Sequence, residues 1–295
     1  MDQEKLKRLR DTYEGKDGSD YMTEAHQHIQ QKMSGRPHSK SKPYSGIPTF
    51  LKLPHQESYE GLDVAVIGVP MDLGVTNRSG ARFGPRALRT IERIGPYNHY
   101  LDEVPSAVLN AADVGDVPMR SRFSLEKSHE DIFEYYKGVV DAGVIPLSVG
   151  GDHSITYPIM KALGAIEPLA MLHIDAHSDT GGPYEDEKFH HGGPFRQAVL
   201  SGVLDPDHTI QIGVRGSAEM SSEFAYDSGM TVLHAEEVEE MGIKAVIAKA
   251  KEVLGDRPVY VSVDVDGIDP AYTPGTGTPE VGGLTPLQVQ MIIRS

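Results

Sequence analysis

The chain has 295 residues, 39% of them hydrophobic and 24% charged, an ordinary globular composition that excludes disordered, collagen-like and coiled-coil architectures. Asp and Glu number 43 against 28 Lys and Arg, and the resulting formal charge of -15 would repel a phosphate backbone, so nucleic acid is not an expected partner. The absence of cysteine removes disulfides, thiolate ligands and a cysteine nucleophile together, so any metal must sit on His, Asp and Glu.

The opening MDQEKLKRLRDTYEGKDGSD lacks the apolar core of a secretory signal, and no stretch approaches the ~18 consecutive apolar residues of a membrane span. A cytoplasmic address without a membrane partner is the expectation. Residues 1–60 are polar and turn-rich, and SGRPHSKSKPYSGIP (34–48) reads as an irregular arm, packed on a neighbour or partly mobile. From Leu62 the pattern changes. DVAVIGVP (63–70) is a continuous apolar run ended by Gly and Pro, as in a strand buried on both faces. Further runs follow at VIPLSVG (144–150), LAMLHID (169–175), HTIQIGV (208–214), MTVLH (230–234) and RPVYVSVDVD (257–266). Helical spacing occupies Ser124 to Ala142, Glu236 to Leu254 and Pro286 to the end. Strands alternating with helices predict βαβ units and a mostly parallel sheet, in a three-layer α/β sandwich that forms a single domain over 61–295.

The polar residues collect at the carboxyl ends of the apolar runs: GGDHS after VIPLSV, DAHSD after LAMLHI and DVDGIDP after RPVYVSV. In open parallel sheets the ligand crevice lies outside those ends. Alternate residues of an extended chain point the same way, so Asp175, His177 and Asp179 form one tridentate hand, and Asp264 with Asp266 form another. His153 adds an imidazole from a third strand. Four carboxylates and two imidazoles without sulfur favour Mn²⁺ or a similar divalent ion over structural Zn²⁺. So many carboxylates exceed the needs of one ion, and two cations roughly 3.5–4 Å apart would balance their repulsion.

Each motif alone has a plainer explanation. DAHSD can be a loop of solvated acids, GGDHS a turn in which Asp152 and Ser154 cap the next helix, and DVDGIDP a strand followed by an Asx turn. Their coincidence at three strand ends favours the metal. His173 reads as a satisfied core histidine, and His208 and His234 fall beside strands with no acidic partner nearby. His190 and His191, in KFHHGGPF, read either as a proton shuttle outside the metal shell or as exposed loop residues.

GGDHS, HIDAHSD, HHGGPF and SVDVDGIDPAYTPGTGTPEVGGLTP, in this order, resemble the ureohydrolases, the family of arginase and agmatinase. The resemblance runs from about Leu62 to Ser295 and is helped by NRSGARFGPRALR (77–89). EDEKFHHGGPFRQAV and QIGVRG are nearer to agmatinases and to guanidinobutyrase-like or guanidinopropionase-like enzymes than to arginase. The resemblance implies an arginase-like fold and two Mn²⁺ ions per chain. His153, Asp175, Asp179 and Asp264 would hold one ion, and Asp175, His177, Asp264 and Asp266 the other. Asp179 would also hydrogen-bond a bridging hydroxide, and His191 would be the proton shuttle. A small cationic guanidino substrate, hydrolysed to urea and an amine, and a homo-oligomer of three or six copies belong to the same implication. Family members carry a further strand, ending in a V-E-V-x-P-type segment whose Glu receives the guanidinium, and a last helix; neither is in this sequence, and Glu280 has no evident claim to that role. In Thr180–Phe189, Glu185, Asp186 and Glu187 tilt the substrate toward agmatine over 4-guanidinobutanoate or 3-guanidinopropanoate, unless they are simply solvated. The competing reading is a non-catalytic, metal-stabilised relative that acts as a regulator.

Overall fold

The computed structural model of the chain describes residues 2–15, 27, 44–91 and 97–295. In chain order they form α1 (Gln3–Tyr13), β1 (Val64–Val69), α2 (Gly84–Arg89), α3 (Pro105–Val108), β2 (Ala111–Asp116), α4 (Leu125–Asp141), β3 (Ile145–Gly150), α5 (Thr156–Leu163) and β4 (Leu169–Ile174). There follow α6 (Pro194–Leu200), β5 (Leu204–Val214), α7 (Glu223–Ser228), β6 (Thr231–His234), α8 (Ala235–Met241), α9 (Ile243–Leu254), β7 (Val259–Val263) and α10 (Pro286–Ile293). All the strand ladders are parallel, in the orders β2-β1-β3 and β6-β5-β4-β7.

The layers follow from which side chains each strand presents to each face. On β4, Leu169 and Met171 pack with Met160 of α5 and with Phe195 and Ala198 of α6. Its alternate residues Leu172 and Ile174 pack with Val246 and Ala250 of α9 and Val289 of α10. Helices therefore cover both faces, and the run LAMLHI shows no polar alternation because both of its faces are core. On β1, Ala65, Ile67 and Val69 meet Ile132 and Tyr136 of α4, while Val66 turns to Phe50 and Leu53. Part of the polar first sixty residues is thus built into the core. Most of the 34–48 stretch lies outside the described residues, and α1 buries none of its side chains.

Three elements depart from the sequence pattern. β2, with the sequence AADVGD, has no apolar run; Ala112 and Val114 are buried, and Asp113 is held by Arg89, whose Nε lies 2.8 Å from its Oδ2. The helix expected over Glu236–Leu254 breaks at Gly242, where φ is +74°, into α8 and α9. The expected sheet is divided in two. No ladder joins β3 to β7 among the described residues, and Ile145 and Leu147 on β3 and Val259, Val261 and Val263 on β7 remain exposed.

Candidate metal centre

The chain leaves β3, β4 and β7 at the same end, and the turns there carry the polar motifs. Gly151 has φ +47°, and a side chain at this position would run into the Val69 and Met71 carbonyls, which is why this turn is built on glycine. Asp152 is a cap, as the plainer reading of GGDHS has it: its carboxylate accepts from the Ser154 and Gly74 N–H groups, each at 2.8 Å. His153 is not incidental to that cap. Its Nδ1 lies 2.8 Å from Asp179 Oδ2, 3.0 Å from Asp175 Oδ2 and 3.5 Å from Asp264 Oδ2, and its Nε2 is 2.7 Å from Ser262 Oγ on β7.

His177 Nδ1 is 3.2 Å from Asp175 Oδ1 and 3.2 Å from Asp266 Oδ2. The ligand atoms of Asp175, His177 and Asp179, and likewise those of Asp175, Asp264 and Asp266, lie within 4.8 Å of one another. All six residues singled out in the sequence therefore meet at one place, with Asp175 at its centre. Local backbone is bent to achieve this. Asp179 has φ +51°, a left-handed conformation that costs a non-glycine residue free energy and recurs at functional sites. A Cβ on Gly267 would stand 2.8 Å from the Asp175 nitrogen, so only glycine lets the Asp264–Asp266 turn approach Asp175.

The residues fit paired cations. His153 Nδ1 is buried and makes no hydrogen bond, although three carboxylate oxygens face it. A cation between a ring nitrogen and its ring of acceptors accounts for that arrangement. Burial, then the charges of Asp175 and Asp264, push Asp266 up to about 8, and burial with Asp175 raises Asp264 as well. Burial would also raise Asp175, yet His173, His153 and His177 hold it well below the usual carboxylate range. His177 is driven the other way: burial disfavours its charge, but Asp175 and Asp266 bring it up to about 11. Without cations the cluster must borrow protons to offset its own charge. An oxygen and imidazole donor set of this kind suits hard to borderline divalent ions.

His191 stands outside these groups. Its backbone N–H donates to Gly74 O at 2.9 Å, and its Nε2 accepts from the Thr76 N–H at 3.2 Å with Thr76 Oγ1 2.7 Å away. That leaves Nδ1 as the ring atom that carries the proton. His190 is not an exposed loop residue. It is buried, donates from Nε2 to Gly182 O at 2.8 Å and accepts at Nδ1 from the Gly192 N–H at 3.2 Å, stapling the loop around its neighbour. His208 and His234 also correct the sequence reading, because both have acidic partners: Asp205 at 3.1 Å, and Glu219 and Glu237 at 2.9 Å each. Asp205 and Glu237 are three residues away from them, a turn spacing that a strand reading ignores.

Sequence reasoning missed Arg215. Buried at the carboxyl end of β5, its guanidinium donates to Gly213 O at 3.0 Å, Asp266 O at 2.7 Å and Glu280 O at 2.7 Å, tying the Asp264–Asp266 turn to the GTPEVGG loop. The available signal was a lone Arg ending the apolar run QIGV. Glu280 itself meets Ser217 Oγ at 3.1 Å. In the acidic loop, Glu187 caps the Phe189 N–H at 2.8 Å, whereas Glu185 and Asp186 are exposed.

Parallel α/β layers that gather four carboxylates and two imidazoles at one carboxyl edge make a candidate site for divalent cations. The sequence profile of the arginase family matches residues 62–295, and the chain belongs to that family. It is 47% identical over 255 residues to a guanidinopropionase of Pseudomonas aeruginosa, covering 85% of this chain and 80% of the relative. It is 45% identical over 253 residues to a mitochondrial agmatinase of Gallus gallus, covering 84% of this chain and 74% of the relative. The solved structure of proclavaminate amidino hydrolase from Streptomyces clavuligerus matches with a TM-score of 0.82 at 38% identity, over 86% of this chain and 85% of that one. Among the described residues no helix is long and apolar enough to cross a membrane. The mitochondrial label of the chicken relative means that family membership does not dictate a cytoplasmic address.

Proposed function

We propose that the chain hydrolyses a short linear guanidino compound to urea and an amine, using two Mn²⁺ ions. The observation that carries this reading is the convergence of His153, Asp175, His177, Asp179, Asp264 and Asp266, with an orphaned His153 nitrogen aimed into it. His153, Asp175, Asp179 and Asp264 would hold one ion and Asp175, His177, Asp264 and Asp266 the other; the sulfur-free donors support Mn²⁺. When bound, such a pair supplies a water acidified toward neutral pH and positive charge opposite the tetrahedral carbon.

The remaining work falls to the side chains. Asp179, held in its left-handed backbone conformation, offers a carboxylate that accepts a hydrogen bond from the attacking oxygen and orients it. His191 relays a proton from the attacking water to the departing nitrogen: the neutral ring takes the proton up and, as imidazolium, gives it up again, so that the amine leaves neutral and the imidazole is restored. The Thr76 contacts to Nε2 position the neutral ring before it takes up that proton. The His190 staple keeps the loop that carries it in place.

The substrate is a small cationic guanidino compound: agmatine first, then 4-guanidinobutanoate and 3-guanidinopropanoate. Exposed Glu185 and Asp186 and the net charge of -15 support an amine-tailed substrate. A homo-oligomer of three or six copies belongs to the same proposal, supported by the helix Gln3–Tyr13, none of whose residues is fully buried within its own chain. A cytoplasmic site of action completes it. The test is urea release from the three substrates with Mn²⁺ present, beside metal analysis of the same sample. Agmatine is expected to turn over fastest. Two bound ions without urea from any guanidino compound would overturn the enzyme reading in favour of a metal-stabilised regulator.

A further inference from the structure

Gln211 sits at 0% exposure in the middle of β5, between Ile210 and Ile212, and takes no part in the chemistry proposed above. Its Nε2 is 2.6 Å from Ser178 O and 3.1 Å from His173 Nδ1, while its Oε1 is buried without a partner. A buried amide with an orphaned acceptor is a cost that an apolar side chain would not carry, so its presence calls for a reason.

The hydrogen bonds supply one. A backbone carbonyl can only accept, so Ser178 O dictates which end of the Gln211 amide faces it; the flipped amide would set two acceptors against each other. The second N–H of the same Nε2 then donates to His173 Nδ1. That leaves the ring proton of His173 on Nε2, 2.9 Å from Asp175 Oδ2. Phe195 packs on the same ring, with centroids 4.4 Å apart, and limits its tilt. The chain of control runs from the Ser178 carbonyl through Gln211 and His173 to the carboxylate of Asp175. Ser178 lies between His177 and Asp179, so the same amide also holds the backbone of that ligand loop.

His173 has a second choice available. Its ligand atoms and those of His153 and Asp175 lie within 4.8 Å of one another, a grouping that could itself hold an ion. We propose that Gln211 is a positioning residue of the metal centre: it fixes His173 as a donor to Asp175, which withholds His173 from the ions and aims the carboxylate they share. Outer partners that orient ligating side chains in this way are typically worth roughly 10–100-fold in metal affinity. The inference rests on Asp175 being a ligand and is independent of which guanidino compound is hydrolysed.

The test is a double-mutant cycle on Mn²⁺ binding, measured by equilibrium dialysis on the full chain. Gln211→Met, close to Gln in shape, is expected to weaken Mn²⁺ binding by roughly 10–100-fold. His173→Phe is expected to do the same, and the double variant to lose no more than either single one. Gln211→Leu serves if the Met variant does not fold, and His173→Phe probes the relay from its other end. The electron paramagnetic resonance spectrum of the loaded protein adds a signature that loss of stability would not produce. The exchange-coupled pattern of an ion pair sharing Asp175 should shift toward that of separate Mn²⁺ ions in Gln211→Met. Binding within twofold of wild type, or full additivity of the two substitutions, overturns the inference. Undiminished Mn²⁺ binding in Asp175→Ala would instead overturn the ligand reading on which it rests.

Discussion

A ring nitrogen that accepts from a backbone N–H cannot also carry a proton, and at His191 that nitrogen is Nε2, facing Thr76. The proton of the neutral ring is therefore on Nδ1, and to act as an acid the ring must first gain a second proton at Nε2, at the expense of the Thr76 N–H contact. His191→Asn should lower kcat by roughly 10²–10⁴-fold, the usual worth of general acid-base assistance, while metal content stays at the wild-type level. Urea release measured beside metal analysis checks this, and near-wild-type turnover would refute the shuttle. His190→Asn should act differently, through the fold. It breaks two hydrogen bonds of a buried staple, so a loss of about 1–3 kcal/mol in stability is expected, with activity falling only because the loop loosens. At the metal ligands, Asp264→Ala should deplete both ions together, whereas His153→Ala should chiefly loosen one; metal analysis returning one zinc, or one ion at full activity, would sink the paired site. The convergence of these residues was legible in the sequence because alternate residues on a strand share a direction, and D-x-H-x-D and D-x-D declare that alternation. The role of His190 was not, since its partners are backbone atoms of a folded-back loop.

Within α4 the sequence shows an amphipathic helix, and the structure shows what its buried face costs. His129 is buried with neither ring nitrogen hydrogen-bonded, its ring 4.8 Å from that of Phe189 in the loop before His190. Burial pulls its pKa down from 6.5 to about 4. The folded value lies below the ordinary one, so the stability linked to this group is complete above 6.5 and is lost as pH falls from there toward 4. The loss amounts to about 3 kcal/mol. His129→Leu should flatten that part of the acid limb. Thermal melts of metal-free wild type and variant at pH 7.5 and pH 5 would show it, and equal acid sensitivity in the two would rule the explanation out. At the same scale, β2 escaped the sequence pattern because its burial rests on small residues and on the Arg89–Asp113 pair, which lie 24 residues apart. The break between α8 and α9 has a local cause, Gly242, inside a stretch whose apolar spacing continues across it.

For the molecule as a whole, the buried acids of the metal centre oppose folding unless cations or borrowed protons offset them. Ions that bind only the folded chain add about 2.7 kcal/mol of stability at a hundredfold excess over Kd. Stripping the ions with a chelator should therefore lower the melting temperature by roughly 4–5 °C per site in a chain of this size. Restoring Mn²⁺ should recover it, and a melting curve indifferent to both treatments would contradict a resident metal pair. Asp264→Ala should respond less than wild type to either treatment, because its sites are already depleted.

The sequence by itself determined the parallel α/β architecture and the identity of the side chains that gather at its carboxyl edge. Both are written in short-range periodicity, apolar runs for strands buried on two faces and polar residues placed where those strands end. Only the tertiary structure decided how the donors are held. His153 finds Ser262 across 109 residues, Gln211 finds His173 across 38, and Arg215 reaches the Glu280 carbonyl across 65. Hydrogen bonds are directional and short in range, so which nitrogen of His173 carries a proton, or which carbonyls Arg215 binds, depends on how the strands, turns and loops of the folded chain bring distant residues together. The separation of β3 from β7 is of the same kind. It follows from which strand edges meet in the fold, a relation that local sequence pattern does not encode.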